Sequence, residues 1–421
     1  MLILRKVTPY ENLTLGAENW TQLAVELTDS GMIPEVIEML KKEVIGLHLH
    51  VDEGNIIYDS NEKIIVKNEK ELSKLSLEDG TKYCYAHKPK DEERLADISY
   101  YYNKLILNVC HICADGRFLT KQLENIVNIS KYNFKKDPQK LLTPFEVCFK
   151  DQLSRIQGTN ENIHFDPKIS HILTKDHCKK HDNYYHYDSV TFPARQLKVY
   201  DRQTKKISGF NEELLTGFIL TSLVFSNSIN NHKTDWFKSF GTCTCIDLKD
   251  KIERNADTVC NAYGQINVIA SVNESTTIEE TNKLIKKDIL IKKAGNSAFL
   301  INNVAKQNFN NNKNKVINLP GRRIDMSNVG PIYIKKPVSD LWIGHGQKNN
   351  CKGAFYSYSF SVIDKEIDRN DLSIVFRHDN KEMNSQDANL FASAMKHFLT
   401  SIPLKTSLGD AFKELTKFIK Q

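Results

Sequence analysis

The chain has 421 residues, 40% of them hydrophobic and 26% charged, the proportions of a globular protein of about two to four domains. This excludes a collagen-like, coiled-coil or wholly disordered chain. Lys plus Arg number 58 and Asp plus Glu 52, so the net charge of +6 is mild for this length. It supplies no concentrated basic stripe of the kind nucleic-acid binding uses, although it leaves room for a local basic site for an anionic cofactor.

No stretch reaches the ~18 consecutive apolar residues of a membrane-spanning helix. The N-terminus, Met1-Leu-Ile-Leu-Arg5-Lys6, lacks the basic and long apolar regions of a signal peptide. A cytoplasmic protein is expected, with its nine cysteines reduced.

In chain order, residues 20–40 read as a helix pair broken near Gly31 and Pro34. Residues 43–57 read as strand, with Ile45, Leu47, Leu49 and Val51 ahead of a Gly54-Asn55 turn. Residues 105–109 form a continuous apolar run, the pattern of a strand covered on both faces. Leu119, Leu123, Ile126 and Val127 then fall on one apolar helix face. Residues 131–187 are polar and rich in His and Lys, and read as a surface excursion between two halves.

The second half opens with a strand over residues 187–200 and a helix from about Asn211. A strand over residues 241–248 and a helix over residues 278–290 follow. Residues 302–314 have the Asn- and Lys-rich composition of a solvated loop. Tyr356, Tyr358, Phe360 and Val362 alternate with Ser357, Ser359 and Ser361, which predicts a half-buried strand. A charged turn, a return strand over residues 372–376 and a helix carrying Leu390, Phe391, Ala394, Phe398 and Leu399 complete this part. Strands alternating with helices across two halves predict an α/β architecture with mixed sheets.

The stretch richest in chemistry is Cys110-His111-Ile112-Cys113-Ala114-Asp115-Gly116-Arg117, where a buried strand gives way to a helix. In open α/β sheets, ligand sites collect at that edge. A histidine there can turn one ring nitrogen to a cleft. Asp115 can turn away and fix the loop, with an Arg as the expected partner, and Gly116 gives the turn its backbone freedom.

His111-x-x-x-Asp115-Gly116 resembles the active-site motif of the CoA-dependent acyltransferase superfamily. That group includes chloramphenicol acetyltransferase, plant acyltransferases, nonribosomal condensation domains and fungal alcohol O-acetyltransferases. Met326-Ser327-Asn328-Val329-Gly330-Pro331-Ile332 is similar to the Ser-Asn-x-Gly element over the reaction tunnel of alcohol acetyltransferase-like members. Asp340-Leu341-Trp342-Ile343-Gly344 is similar to an Asp-Phe-Gly-Trp-Gly element at its first and last positions, without the middle glycine.

The resemblance implies a two-lobed chloramphenicol acetyltransferase-like fold with a tunnel between the lobes, residues 1–189 forming one lobe and 190–421 the other. It implies that His111 takes the proton from an acceptor hydroxyl or amine as that atom attacks the acyl-CoA thioester, with no covalent enzyme intermediate. Ser327 and the Gly116 amide are candidate donors to the oxyanion. Ser327, Asn328 and Gly330 are candidate contacts to the acyl-CoA. Asp115 is structural on this reading, with Arg322 and Arg323 as candidate partners. Acyl-CoA is then a co-substrate, and nothing is bound permanently. The acceptor is a small or lipophilic alcohol, with a long-chain amine next, and the protein is expected to be a monomer. Condensation domains usually carry two adjacent histidines before x-x-x-Asp-Gly. Here Cys110 holds the first position, which points to free acyl-CoA rather than a carrier protein.

Other readings stay open. Cys110-x-x-Cys113 is also the spacing of a thiol redox motif, and Cys243-x-Cys245 would make a four-thiolate zinc site with it. His177, Cys178, His181 and His186 have the look of a metal cluster but sit in a polar segment that reads as solvated loop. Lys283, Lys286, Lys287, Lys292 and Lys293, with Lys313 and Lys315, would welcome the 3′-phosphate of CoA or simply form solvated faces. Phe412, Leu415, Phe418 and Ile419 share a helix face, which docks on the second lobe or lies in an internal membrane surface. A non-catalytic binding protein of the same fold is the remaining alternative.

Overall fold

A computed structural model describes residues 2–59, 63–135, 143–156, 169–172, 186–204, 206–230, 240–248, 251, 262–300, 322–347, 354–378 and 383–421. The first half supplies β1 (Leu2–Lys6), α1 (Pro9–Gly16), β2 (Trp20–Leu27), α2 (Ile33–Glu43), β3 (Leu49–Asp52) and β4 (Asn55–Tyr58). It continues with β5 (Val66–Asn68), α3 (Leu77–Ala86), β6 (Ala96–Tyr101), β7 (Lys104–Cys110) and α4 (Gly116–Val127). Short elements α5 (Phe145–Cys148), α6 (Lys150–Arg155) and β8 (His171–Ile172) lead into the second half.

The second half opens with β9 (His186–Pro193), β10 (Tyr200–Asp201), β11 (Lys206–Ile207) and α7 (Phe210–Asn230). It continues with β12 (Gly241–Asp247), β13 (Tyr263–Ile269), α8 (Ile278–Ala294), β14 (Arg322–Ile334) and β15 (Val338–Gly346). The chain then runs through β16 (Ala354–Asp364), β17 (Arg369–His378), α9 (Ser385–Ser401) and α10 (Leu408–Ile419).

Two mixed sheets dominate. One has five strands in the order β15-β2-β7-β6-β5, and the other has seven, in the order β13-β12-β14-β16-β17-β9 with β8 beside β14. In the larger sheet β14 runs parallel to both β12 and β16, while the outer pairs are antiparallel. Residue 190 falls inside β9, and β15 leaves the second half to pair with β2 over Val338↔Leu27 to Gly346↔Trp20. The sheets therefore exchange strands across the expected boundary.

The helix pair expected over residues 20–40 is corrected to a strand followed by a helix. β2 is the inner neighbour of both β15 and β7, so Trp20, Leu23, Ala24, Val25 and Leu27 are buried without a solvent face. A fully covered strand shows a continuous apolar run, which short helices share. Only α2 is an α-helix, with Val36, Ile37 and Leu40 turned to the core.

The half-buried strand expected over residues 356–362 is likewise corrected. Ser357 and Ser359 are as buried as their apolar neighbours because β16 lies between β14 and β17 and its ends enter different cores. Their hydroxyls donate to the Val375 carbonyl at 2.9 Å and to Asn328 Oδ1 at 3.1 Å, which satisfies buried polar groups that alternation suggested were wet.

The excursion over residues 131–187 is also less superficial than expected. Phe145, Phe149, Leu153, Ile156 and Ile172 belong to the larger core, and Phe145 stacks on Tyr10 at 5.0 Å. Leu408, Ala411, Leu415 and Ile419 bury the apolar face of α10 in that same core, packed with α7 and α9. Among the described residues no helix is long and apolar enough to cross a membrane. On α8, Lys283 pairs with Glu279 at 2.8 Å and Lys292 with Asp288 at 2.7 Å, while Lys286 and Lys287 are exposed. Residues 302–314, Lys315, His177, Cys178 and His181 lie outside the described residues, as does the side chain of His186.

Burial dominates the environment of Asp91 and pushes its carboxyl up to about 6, against the opposing charge of Lys88. The folded pKa is above the unfolded one, so the folded chain holds more protons between about pH 4 and 6 and loses stability as pH rises through that window. Asp91→Asn should therefore raise the urea midpoint at pH 7 and leave it unchanged below pH 4. An equal change at both pH values would refute this account.

Candidate active site

β7 ends at Cys110 opposite Trp20 of β2, and the His111 backbone N–H donates to the Asn19 carbonyl at 2.7 Å. That bond ties the turn to the start of β2. Asp115 then caps α4, its Oδ1 accepting the Phe118 N–H at 2.8 Å in the ordinary geometry of a helix start. The strand end and the cap thus hold a tight turn from Cys110 to Asp115, with the Cys113 N–H on the Cys110 carbonyl at 2.8 Å. Asp115→Ala should cost about 0.5–2 kcal/mol and Asp115→Asn should recover most of it. Equal losses in thermal unfolding would mean that charge rather than capping is what the position supplies.

The His111 side chain is 9% exposed. Its ring meets Tyr263 of β13 at 5.5 Å between centroids and His345 of β15 at 5.4 Å, the latter nearly perpendicular. One imidazole therefore touches a strand of each large sheet. Burial, and then the charge of Cys245, raises the Tyr263 hydroxyl above the usual phenol range. Burial first, then Arg377 and His111, holds His345 well below the ordinary imidazole range.

The Met326-to-Ile332 stretch is brought to the same place. A Cβ on Gly116 would sit 3.9 Å from Val329 Cγ1, so the start of α4 abuts β14. β14 bulges between Asn328 and Gly330 against β16. Gly330 has φ +91°, a left-handed conformation that favours glycine, and its N–H donates to Asn328 Oδ1 at 2.9 Å. Asn328 also accepts from Ser359 at 3.1 Å, so its side chain shapes the bulge. Ser327 stands just before it, half-buried, and its hydroxyl makes no hydrogen bond among the described residues.

The Asp340-to-Gly344 element lies in β15 and acts as a clamp. Asp340 pairs with Arg369 at 2.9 Å, Trp342 packs edge-on to Phe360 at 5.2 Å, and a Cβ on Gly344 or Gly346 would overlap α3 at Thr81 or Tyr85. The glycines let α3 lie close against β15. Arg322 and Arg323 open β14, and their side chains lie outside what is described. Arg117 makes an exposed pair with Asp247 at 3.4 Å.

Cys110 and Cys113 are both fully buried, and burial pushes the Cys110 thiol well above the usual range. A redox Cys-x-x-Cys needs an accessible, low-pKa thiolate, the opposite environment. Cys243 is a core residue beside Ile266 and Val268, and no group of three or more His, Cys, Asp or Glu that could hold a metal occurs among the described residues.

Sequence reasoning missed His345 and Arg377. The signal was a histidine between two glycines, Gly344-His345-Gly346, one residue past where the motif match ended. A small, partly open pocket reaches His345 and is lined by Glu78, Lys82, Tyr85, Tyr187, Trp342 and Tyr358. It lies in the seam between α3 with β15 and the β9–β17 edge of the larger sheet, where Ser189 of β9 donates to Glu78 of α3 at 2.8 Å.

No protein-family model and no curated protein matches the sequence. Solved structures do resemble the fold. The first condensation domain of the calcium-dependent antibiotic synthetase, in complex with a substrate analogue, superposes with TM-score 0.63 and 9% identity, over 97% of this chain and 99% of that one. Polyketide synthase associated protein 5 from Mycobacterium tuberculosis gives 0.62 and 11%, over 95% and 99%. The epimerization domain from the third module of tyrocidine synthetase B gives 0.59 and 10%, over 99% and 98%. At these identities the likeness concerns the fold: a two-lobed α/β fold of the condensation-domain and chloramphenicol acetyltransferase-like group.

Proposed function

We propose that the chain is an acyltransferase that moves an acyl group, most simply acetyl, from acyl-CoA to an alcohol, with His111 as general base. The placement of His111 carries this reading. A largely buried imidazole stands at the end of a central strand, touching both large sheets, in a fold shared with condensation domains.

A neutral imidazole accepts the proton of the acceptor hydroxyl as that oxygen attacks the thioester carbon. The tetrahedral intermediate places negative charge on the former carbonyl oxygen. The unengaged Ser327 hydroxyl and the first-turn amide of Gly116, which the Asp115 cap leaves free, are the donors nominated for it. Collapse expels the CoA thiolate, which takes up the proton held on His111. Atoms and charges balance with no enzyme ester, so no serine or cysteine nucleophile is needed. An amine acceptor follows the same path.

A second reading, a stand-alone condensation-like enzyme, is favoured by one observation: a condensation domain and an epimerization domain are among the structures this fold resembles. The experiment is thiol release by purified protein from acetyl-CoA, short acyl-CoAs and acyl thioesters on a phosphopantetheinyl carrier, against alcohols and long-chain amines. Acceptor-dependent release from acyl-CoA supports the first reading. Release from the carrier thioester alone replaces it with the second, and no release from any donor overturns both.

A further inference from the structure

Arg377 of β17 is a buried cation, 4% exposed. Among the described residues no carboxylate pairs with it. Its guanidinium donates to His345 Nδ1 and to Gln347 Oε1 at 3.2 Å, lies 4.6 Å over the Tyr356 ring, and leaves Nε without a partner. Removing a guanidinium from water without a counter-ion is expensive, so such a charge marks a place where it is used. A guanidinium has donors and no acceptor, so the nitrogen it meets on His345 must be the unprotonated one. The His345 proton therefore sits on Nε2, and a second proton would place two cations in contact. The other face of this arrangement is His111, whose ring stands perpendicular to that of His345.

We propose that His345 and Arg377 are positioning residues for the reaction assigned to His111. Arg377 fixes His345 as the neutral Nε2–H tautomer, and that ring holds the His111 imidazole in place and opposes its protonation. The proposal rests on the general-base reading of His111. His345 is itself well anchored, because the Tyr187 hydroxyl donates to its carbonyl and the Tyr358 hydroxyl to the Ile343 carbonyl at 3.1 Å.

The charged and titratable groups around the pair come from several elements. Tyr263 of β13 faces His111, and Asp115, Cys110 and Cys113 belong to its own turn. Arg377, Tyr358 of β16 and Tyr187 of β9 surround His345. Glu78 and Lys82 of α3 line the adjoining pocket and pair with each other at 3.1 Å, so they cancel. Asp115 is the remaining carboxylate of the set, its Oδ1 held by the Phe118 N–H, and Arg377 is the cation that no carboxylate among the described residues pairs with, one ring away from His111. Burial and this charge agree in direction at His345, which stays neutral. The positive charge of Arg377 works toward a neutral His111, the form a general base requires, and against the pull of the Asp115 carboxylate in the same turn.

The first measurement uses the wild-type protein with isotope-labelled histidine and follows ring nitrogen shifts from pH 8 to pH 5. His345 should remain neutral with its proton on Nε2 throughout. A cationic His345 by pH 6, or an Nδ1–H tautomer, overturns the proposal. The second is the pH profile of kcat/KM for acceptor-dependent thiol release. Arg377→Gln keeps a donor and drops the charge, and should move the acid limb upward by about half a pH unit or more. Arg377→Lys should bring it back. His345→Phe should lower kcat by about tenfold or more with KM for the acyl donor little changed, while His345→Asn, which keeps an acceptor for Arg377, should lose less. A lower rate with an unmoved acid limb in Arg377→Gln would make these residues merely structural and refute the proposal. If His111→Ala leaves thiol release intact, the general-base reading itself has failed, which is a separate result.

Discussion

Replacing His111 with alanine is expected to lower acceptor-dependent thiol release by about 10²–10⁴-fold, the usual worth of a positioned general base. Cys113→Ser, in the same turn, should leave it within a few-fold. The contrast follows from environment. Both cysteines of the Cys110-to-Cys113 pair are sealed in the core, and burial raises the Cys110 thiol, so neither is poised as a thiolate. His111 instead sits where the start of α4, the β14 bulge and β15 converge. Removing its ring takes away the only imidazole on the Asp115 turn, and the His345 ring cannot substitute while Arg377 occupies its accepting nitrogen. The assay is spectrophotometric detection of free thiol with saturating acyl donor, with and without acceptor. Release that survives in His111→Ala, or that falls with Cys113→Ser instead, would refute the general-base mechanism.

Much of this site was legible because its parts are local in sequence. A strand end, a histidine, and an Asp-Gly four and five residues later form one turn, and the cap that Asp115 makes is dictated by residue type at a helix start. The Ser327-to-Gly330 element was legible for the same reason, since a glycine at positive φ leaves a mark in the sequence. What stayed hidden depends on non-local pairing. His345 meets His111 only because β15 crosses to the first sheet and pairs with β2, a partner more than three hundred residues earlier, and no periodicity encodes that choice. Residues 20–27 hide their strand for a related cause: an inner strand of a sheet shows no alternation once both faces are covered. The serines of β16 misled in the opposite sense. Ser357 and Ser359 alternate with apolar residues as if wet, yet their hydroxyls are spent on Val375 and Asn328.

Lys198→Met is expected to destabilise the second half by about 3–5 kcal/mol, the cost of stranding a buried charge. Glu213 of α7 is fully buried, and Lys198 reaches it at 2.8 Å. The same ammonium donates to the Phe398 and Ile402 carbonyls at the end of α9, at 2.8 and 2.6 Å, and lies 4.2 Å from the Phe398 ring. One side chain thus neutralises α7 and caps α9. Burial already works against both charges, raising the Glu213 carboxyl and lowering the Lys198 ammonium despite their attraction. With the lysine gone, Glu213 must protonate or drag water into a dry core. Glu213→Gln in the Lys198→Met background removes the stranded charge and should recover most of the loss. The residual deficit should be about 1 kcal/mol for each carbonyl bond that methionine cannot make. Urea midpoints of the two single variants and the double variant decide the matter. A double variant no more stable than Lys198→Met would show that the lysine acts through its carbonyl bonds and packing rather than through the pair.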